Sequence, residues 1–445
     1  MPARQSGRSR RLPPNMRDGL LGGRKAEFMR GLYLLGHCMD GIAVDPGKKR
    51  ARGEIRPFSA PETVTLPLPG IEDPAQCMAS PGDSVRRGQE LARLPGGNIV
   101  RASLAGVVRE LRRLPGERAP LCVVIEPAAS GCSGHTRAEP GKKLRWDEGR
   151  AWELVAAAGI VDELDGRLLT EKLEEKADVL VVCCVGDSVR EGAGDAVAAG
   201  MAQDVAAGIR LAQELARIPR CMMFTGDRAL KKAYAETELE LEWTFARGRY
   251  PACMLLRRQL EREERACVLL GVQAVAALGR VRRGMFQLTA VVEVSGDAVE
   301  RPSFLEVPVG SDVLSILRAC GWSGSGSIYL GDCVRGRLWD RAEPVTQTTR
   351  CISVFRRLSK PGYPICIGCG RCERACPVGV RPWVVCQPSQ DTRKALARLC
   401  RADRCVGCGA CSAACPAALD PSAAVQEAAA AVGAEKPDRK EAEAE

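Results

Sequence analysis

The stretch that decides how this chain is organised reads CIGCGRCERACP at residues 366–377 and returns as CVGCGACSAACP at residues 405–416. Both copies follow the spacing Cys-x2-Cys-x2-Cys-x3-Cys-Pro, and 28 residues separate the last cysteine of the first copy from the first cysteine of the second. Spacing of this kind curls a loop so that three thiolates converge, and the proline ends the loop after the fourth cysteine. The repeat therefore indicates two metal centres of the same kind.

Iron–sulfur clusters fit the spacing better than the two other common uses of grouped cysteines. Zinc sites favour two CxxC pairs, without a third cysteine two residues on or a fourth followed by proline. Disulfide frameworks are typical of small secreted chains, whereas this chain has 445 residues and no apolar stretch follows its basic start MPARQSGRSRRLPP. We therefore predict two [4Fe-4S] clusters held by eight ligands, Cys366, Cys369, Cys372, Cys376, Cys405, Cys408, Cys411 and Cys415.

Composition predicts a globular chain of about three domains. The formal charge of +10 suits acidic redox partners or an anionic membrane surface. No aromatic-interleaved basic stripe accompanies this charge, so we predict no nucleic-acid partner. Eight of the 22 cysteines lie in the repeats and the others are scattered, which favours a reducing cytoplasm, as in an anaerobe. No run of 18 apolar residues occurs, so no transmembrane segment is predicted.

The remainder of the chain divides by local pattern. Residues 61–127 alternate as short strands around a hairpin, similar to the barrel-sandwich domain of biotinyl and lipoyl carriers. Those carriers modify a lysine at the hairpin tip, but the tip here is Pro95-Gly96-Gly97-Asn98, and no lysine lies between 85 and 103. We therefore predict an unmodified barrel with a structural or docking role.

Helices and apolar strands alternate over residues 149–300, which predicts an α/β layer. The expected helices are Trp152–Ile160 and Ala196–Ile218, and the expected strands are 177–184, 221–224 and 266–270. Residues 301–357 follow as a small α+β module of β-grasp type, with a helix that starts at Ser311 or Asp312. The cysteine-rich unit is predicted over 360–425, between a basic N-terminal extension at 1–60 and a disordered tail at 426–445.

The order of these units resembles the RnfC family over residues 60–425. That family includes the NADH-side subunit of the Rnf electron-transport complex and the proline-reductase-associated electron-transfer protein. Besides the two cysteine runs, the resemblance is carried by Gly82-Asp83-x-Val85-x-x-Gly88-Gln89, Ala102-Ser103-x-x-Gly106-x-Val108, Ala158-Gly159-Ile160-Val161, Val292-x-Val294-Ser295-Gly296-x-Ala298-Val299 and Val307-Pro308-x-Gly310.

The resemblance implies a multidomain α/β and α+β chain. Its parts would be a barrel-sandwich β domain, a Rossmann-like α/β layer, a β-grasp-like (SLBB) module and a dicluster ferredoxin domain. In two-cluster ferredoxins the fourth cysteine of each run binds the other cluster. The implied ligand sets are therefore Cys366, Cys369, Cys372 with Cys415, and Cys405, Cys408, Cys411 with Cys376.

The chain departs from the family where NADH and FMN would bind. A Gly-rich loop follows Ala-Gly-Ile-Val in the family, but Asp162-Glu163-Leu164-Asp165-Gly166-Arg167-Leu168-Leu169-Thr170 stands here. Carboxylates at that position oppose a phosphate. We predict that FMN and NADH binding are lost, that no catalytic residue is present, and that only Gly166, Thr170 and Gly186 remain as candidate cofactor contacts.

We therefore expect an electron-transfer component that passes single electrons to a partner oxidoreductase, such as an amino-acid reductase of the proline-reductase type. One alternative is an NADH:acceptor oxidoreductase subunit with FMN in an Rnf-like membrane complex. Another is a partner-docking scaffold whose clusters are structural. The expected location is the cytoplasm, with peripheral contact to a membrane through partner proteins.

Overall fold

The computed structural model describes residues 51–58, 61–115, 119–128, 147–186, 192–246, 250–332, 334–356, 365–386 and 393–433. Its first strand, β1 (Arg56–Pro57), pairs in parallel with a strand near residue 305. Ala51 is buried, and Ile55 packs on the core of the α/β unit. Residues 51–58 are thus integral to the fold, so the extension predicted over 1–60 is wrong for this part, while residues 1–50 lie outside the described chain.

The β unit follows, with strands β2 (Val64–Leu68), β3 (Ser84–Val85), β4 (Glu90–Arg93), β5 (Ile99–Arg101), β6 (Gly106–Arg113) and β7 (Leu121–Pro127). One antiparallel sheet has the order β2-β7-β6-β3, and β4 pairs with β5 to form the expected hairpin. The inward-facing residues Val64, Leu66 and Leu68 of β2 are fully or almost fully buried. The hairpin tip lies against the α/β unit, because a Cβ at Gly159 would stand only 3.1 Å from Asn98 Oδ1.

The α/β unit contains a four-stranded parallel sheet. Its elements are α1 (Ala151–Ala158), α2 (Leu169–Leu173), β8 (Val179–Cys183), α3 (Ala193–Gly200), α4 (Ala202–Ala216), β9 (Arg220–Thr225), α5 (Leu230–Ala233), β10 (Leu241–Phe245), α6 (Ala252–Arg262), β11 (Cys267–Gly271) and α7 (Val272–Val281). The strand order is β10-β9-β8-β11. All five residues of β8 are buried, as the continuous apolar run predicted. The single helix expected over 196–218 is divided at Met201, whose φ and ψ of −122° and 31° are not helical.

Helices α4 and α7 approach each other closely because glycine stands at two contact points. A Cβ at Gly208 would lie 1.9 Å from the Val275 carbonyl oxygen, and one at Gly279 would lie 1.9 Å from that of Asp204. Only a residue without a side chain fits at these positions. The contact holds α7 firmly against the sheet, and the N-terminus of α7 is important for the site described below.

The next unit is a six-stranded mixed sheet with one helix, built from β12 (Thr289–Ser295), β13 (Ser303–Pro308), α8 (Val313–Ala319), β14 (Ser327–Leu330), β15 (Arg337–Leu338) and β16 (Cys351–Phe355). The sheet order is β1-β13-β12-β16-β14-β15. Helix α8 starts as predicted, since the Asp312 carboxylate accepts a hydrogen bond from the Ser315 amide at 2.9 Å. The boundary predicted at 300 is wrong, because β12 hydrogen-bonds to β13 and β16 of this unit.

The C-terminal unit consists of short helices around the cysteine runs: α9 (Arg371–Ala375), α10 (Arg393–Cys400), α11 (Ala410–Ala414) and α12 (Pro421–Gly433). Its core includes Val384, Cys400 and Val425. Because α12 runs to Gly433, the predicted end of this unit at 425 is too early, and residues 426–433 are not a disordered tail. Within the described ranges, no helix is both long and apolar enough to cross a membrane.

Candidate functional site

The eight cysteines of the two runs surround two pockets in the C-terminal unit. Four of them line the first pocket, and four line the second. The first set is Cys366, Cys369, Cys372 and Cys415, and the second is Cys376, Cys405, Cys408 and Cys411. Each pocket thus receives three cysteines from one run and the last cysteine of the other run.

Local backbone geometry produces this crossing. Glycines in the left-handed conformation stand before both helices: Gly368 and Gly370 precede α9, and Gly407 and Gly409 precede α11, all with φ between 67° and 73°. A residue with a side chain is strained at these φ angles, which explains why a glycine stands directly before and directly after the second cysteine of each run. Both helices end at the fourth cysteine, where the backbone becomes extended and carries the thiol to the neighbouring pocket.

The donor set of both pockets fits an iron–sulfur cluster. Within the part of the chain that the structure describes, no three ligand-type side chains lie close enough together to hold one ion. Four thiols around one pocket suit a [4Fe-4S] cluster, in which each of the four irons takes one thiolate ligand. The pocket walls are otherwise apolar, with Ile367 and Leu419 in the first and Val380 and Val425 in the second. Such walls place the thiols in a largely apolar environment.

Backbone amides also point at the sulfurs. The Val380 amide donates to Cys376 Sγ at 3.2 Å, and the Gly407 amide donates to Cys405 Sγ at 3.4 Å. Burial raises the pKa of the Cys408 thiol to about 11 and that of Cys411 to about 12. Without metal these thiols therefore keep their protons at neutral pH, and metal binding must release them.

Cys386 and Cys400, two further cysteines of this unit, do not belong to either spaced run. The sequence therefore predicts that both are packing residues. Cys400 fits that expectation, because it is fully buried in the core of the unit. Cys386 instead lies in the wall of the first pocket, where burial and the nearby Cys372, Cys366 and Cys415 raise its pKa to about 12. Sequence reasoning missed this position because Cys386 belongs to neither run.

In the α/β unit, Asp162 and Glu163 occupy the N-terminus of α7. The Glu163 carboxylate accepts hydrogen bonds from the amides of Gln273 at 2.8 Å and Ala274 at 3.0 Å. The Asp162 carboxylate accepts from the Gly271 amide at 3.1 Å. A helix N-terminus that follows a strand is the position where α/β folds bind phosphate. Here the chain's own carboxylates take up those donors.

A buried lysine compensates part of this negative charge. Lys172 Nζ lies 2.7 Å from Asp162 Oδ2 and 2.9 Å from Asp165 Oδ2, with side-chain exposures of 5%, 0% and 26% for the three residues. Burial alone would raise the pKa of Asp165, but the hydrogen bond and charge of Lys172 outweigh it and lower that pKa. Burial and the neighbouring Asp162 raise the pKa of Glu163 to about 7, against the pull of the helix amides.

The three candidate cofactor contacts do not come together in one pocket. Gly166 has a φ of 76° in the turn that follows Glu163, and it lines a cavity of about 190 Å³ between the β unit, α1 and the mixed sheet. Neither Thr170, in α2, nor the buried Gly186, after β8, lines that cavity.

Two protein-family profiles match the chain. The RnfC barrel sandwich hybrid domain matches residues 37–130, and the 4Fe-4S dicluster domain matches residues 365–419. The fold and the two cysteine pockets thus define an iron–sulfur protein with a barrel-sandwich domain at its N-terminal side. The matches confirm the resemblance to the RnfC family with a C-terminal 4Fe-4S domain.

Curated relatives point to the same family. The C subunit of the ion-translocating oxidoreductase complex of Rhodobacter capsulatus is 32% identical over 108 residues, which are 23% of this chain and 21% of that protein. Its namesake from Vibrio cholerae is 28% identical over 124 residues, which are 25% of this chain and 16% of that protein. The matched segments therefore span only about a fifth of the length of these relatives.

Among solved structures, an NAD⁺-reducing [NiFe]-hydrogenase in the air-oxidized state aligns with a TM-score of 0.43 and 15% identity, over 64% of this chain and 63% of that chain. An NAD⁺-reducing [NiFe]-hydrogenase in the H₂-reduced state aligns with a TM-score of 0.43 and 13% identity, over 66% and 64%.

Proposed function

We propose that this protein is an electron-transfer component that passes single electrons through two [4Fe-4S] clusters to a partner oxidoreductase. The observation that carries the proposal is the crossing of the two cysteine runs, which gives each pocket four thiols. The dicluster profile over the same residues supports it. Cys366, Cys369, Cys372 and Cys415 would hold one cluster, and Cys376, Cys405, Cys408 and Cys411 the other.

The surrounding residues prepare the pockets for this role. Bound clusters of this type supply one-electron chemistry at potentials between about −700 and +450 mV. The amides of Val380 and Gly407 stabilise negative charge on the sulfurs of Cys376 and Cys405. They therefore favour the reduced cluster, which carries one more negative charge than the oxidised cluster. The apolar side chains Leu419 and Val425 line the pockets beside the thiols.

The α/β unit, in this proposal, binds neither NADH nor FMN. Glu163 already satisfies the amides of Gln273 and Ala274 at the start of α7, and Asp162 satisfies that of Gly271. A phosphate would have to displace both carboxylates and overcome their repulsion in a buried position. The unit would then support the clusters mechanically rather than supply hydride chemistry.

A second candidate function follows from the names of the relatives. Both are C subunits of ion-translocating oxidoreductase complexes, which favours a place for this chain in a complex of that kind. In that case the partner would be another protein of the complex, the chain would associate peripherally with a membrane, and a flavin would be retained. An amino-acid reductase of the proline-reductase type remains the alternative partner.

The test is made on protein purified without oxygen. Iron, acid-labile sulfide and non-covalent flavin are quantified, and NADH and then dithionite are added while cluster absorbance is followed. We expect about eight irons for two four-iron clusters, no flavin, no bleaching by NADH and full bleaching by dithionite. Stoichiometric FMN with rapid bleaching by NADH would instead establish the second candidate function.

A matched pair of variants shows whether the cysteines act as ligands. Cys369→Ala combined with Cys408→Ala removes one thiol from each pocket and should abolish both iron binding and electron transfer. Cys400→Ala is the control, because Cys400 is a buried cysteine of the same unit that lines neither pocket. Unchanged electron transfer in the double variant would show that the clusters are only structural.

A further inference from the structure

The two cysteine pockets have different surroundings. The rest of the protein covers the second one: the hydroxyl of Tyr250, a residue with 5% exposure, donates to the Cys408 carbonyl oxygen. Met254 and Val334 pack beside Cys408, and Arg258 Nη2 donates to the Asp403 carbonyl oxygen at 2.9 Å. Helix α6 and the loop before β15 therefore seal this side of the C-terminal unit.

The rim of the first pocket is open and apolar. Cys369 is exposed, and Ile365 and Ile367 beside it are 71% and 65% exposed. These are the two highest exposures among the exposed large apolar residues of the described chain, the others being Met78, Val107, Leu338 and Leu399. Exposed apolar side chains that are grouped at a functional edge mark an interaction site rather than random surface.

Two arginines follow these isoleucines in the chain, and Arg374 Nη2 donates to the Cys369 carbonyl oxygen at 3.4 Å. Arg371 and Arg374 are exposed, and no carboxylate among the described residues forms an ion pair with either of them. The one acid of this segment, Glu373, is held by Trp383 Nε1 at 2.7 Å and by Arg381 Nε at 3.3 Å. The rim therefore combines exposed isoleucines with two arginines that form no ion pair with another described residue, which suits a partner surface with an apolar patch inside an acidic border.

We infer that Ile365, Ile367, Cys369, Arg371 and Arg374 form the docking surface of a small acidic redox protein that accepts electrons from the first cysteine set. This inference rests on the proposed function. In the step, one electron leaves the first centre and reduces the acceptor by one electron, and no bond forms or breaks. The second set lies on the side that faces α6, so the two sets divide into an outward and an inward position.

The experiment uses oxidised flavodoxin as an acidic one-electron acceptor for the reduced full-length protein. The initial rate of flavodoxin reduction is measured for wild type, Ile365→Glu and Arg371→Glu at low and high salt. Leu338→Glu is the matched control, because Leu338 is 58% exposed on β15 and lines neither cysteine pocket. A small neutral quinone serves as an acceptor that needs no docking.

We expect at least a roughly tenfold slower transfer to flavodoxin at low salt for the two rim variants, and a change of less than about twofold for Leu338→Glu. Iron content and quinone reduction should stay at wild-type values. The inference is overturned if the rim variants transfer as fast as wild type, if Leu338→Glu slows equally, or if wild-type transfer does not fall with salt. Missing iron or slow quinone reduction in the wild type would instead contradict the proposed function.

Discussion

The C-terminal unit and the α/β unit treat their ligand positions in opposite ways. The C-terminal unit has two pockets whose walls each carry four cysteine thiols, and glycines bend the chain to bring them there. The α/β unit presents a helix N-terminus at the end of a parallel sheet, but Asp162 and Glu163 fill it. The comparison shows that the α/β unit keeps its fold although two carboxylates occupy its helix N-terminus. A metal pocket differs, because each of its donor atoms must be able to bind the metal.

The largest expected effect is the loss of bound iron in variants that test how the cysteines of the two runs are shared between the pockets. Cys376→Ala with Cys405→Ala alters one pocket only, so about half of the bound iron should remain, one four-iron cluster of two. Cys376→Ala with Cys366→Ala alters both pockets, so nearly all iron should be lost. Iron and sulfide analysis after anaerobic purification distinguishes them. Equal iron in the two double variants would contradict the crossed sets.

The next effect concerns the buried cation of the α/β unit. Lys172→Met leaves Asp162 and Asp165 without their shared partner in a buried position. Removal of one member of a buried ion pair costs about 3–5 kcal/mol. Arg167→Met is the control: Arg167 pairs with Glu175 on the surface, where an ion pair contributes about 0–1 kcal/mol. Chemical denaturation followed by circular dichroism should separate the two variants clearly.

Gly271→Ala should disturb the filled anion position by sterics alone. A Cβ at residue 271 would lie 2.2 Å from Glu163 Cδ, although the φ and ψ of −70° and 142° suit any residue. The displaced carboxylate would leave the amides of Gln273 and Ala274 without acceptors, at about 1–3 kcal/mol. Gly200→Ala is the control, since its Cβ would meet only Ile55 at 3.6 Å. A stability loss in the control of the same size would refute this explanation.

The smallest effect is a pH dependence of stability that originates from Glu163. Its pKa is about 7 in the folded protein against 4.5 ordinarily, so between these values the folded state binds more protons than the unfolded state. Stability should therefore fall as pH rises through this window, by up to about 1.4 kcal/mol per pH unit. Thermal melting between about pH 5 and pH 8 should show a shallower fall for Glu163→Gln than for wild type. Parallel pH curves would show that Glu163 does not titrate in this range.

The cysteine unit is predictable from sequence because its chemistry is encoded in a short local spacing. The eight cysteines need no tertiary information, and the buried strand within 177–184 needs only a continuous apolar run. The helix start at Asp312 is equally local, because a side chain caps the amide three residues on.

The features that sequence could not predict depend on contacts between distant residues. Strand β12 falls within the predicted α/β unit because no local signal shows that it pairs with β13 and β16. The carboxylates after Val161 indicate a position that opposes phosphate, but the hydrogen bonds of Asp162 and Glu163 to residues 271–274 join segments more than 100 residues apart. Cys386 reaches the first pocket through the fold of the segment after α9, which no spacing rule describes.

The crossing of the two runs has a mechanical consequence. In the metal-loaded state, one four-iron group would tie Cys376 to Cys405 and the other would tie Cys372 to Cys415. The segment between the two cysteine runs would then be a closed loop that is cross-linked at both ends. Closing a loop of this length removes conformational freedom from the unfolded chain, as a cross-link does. Neither half of the repeat can then be released by itself, so metal insertion and folding of residues 366–415 should occur as a single event.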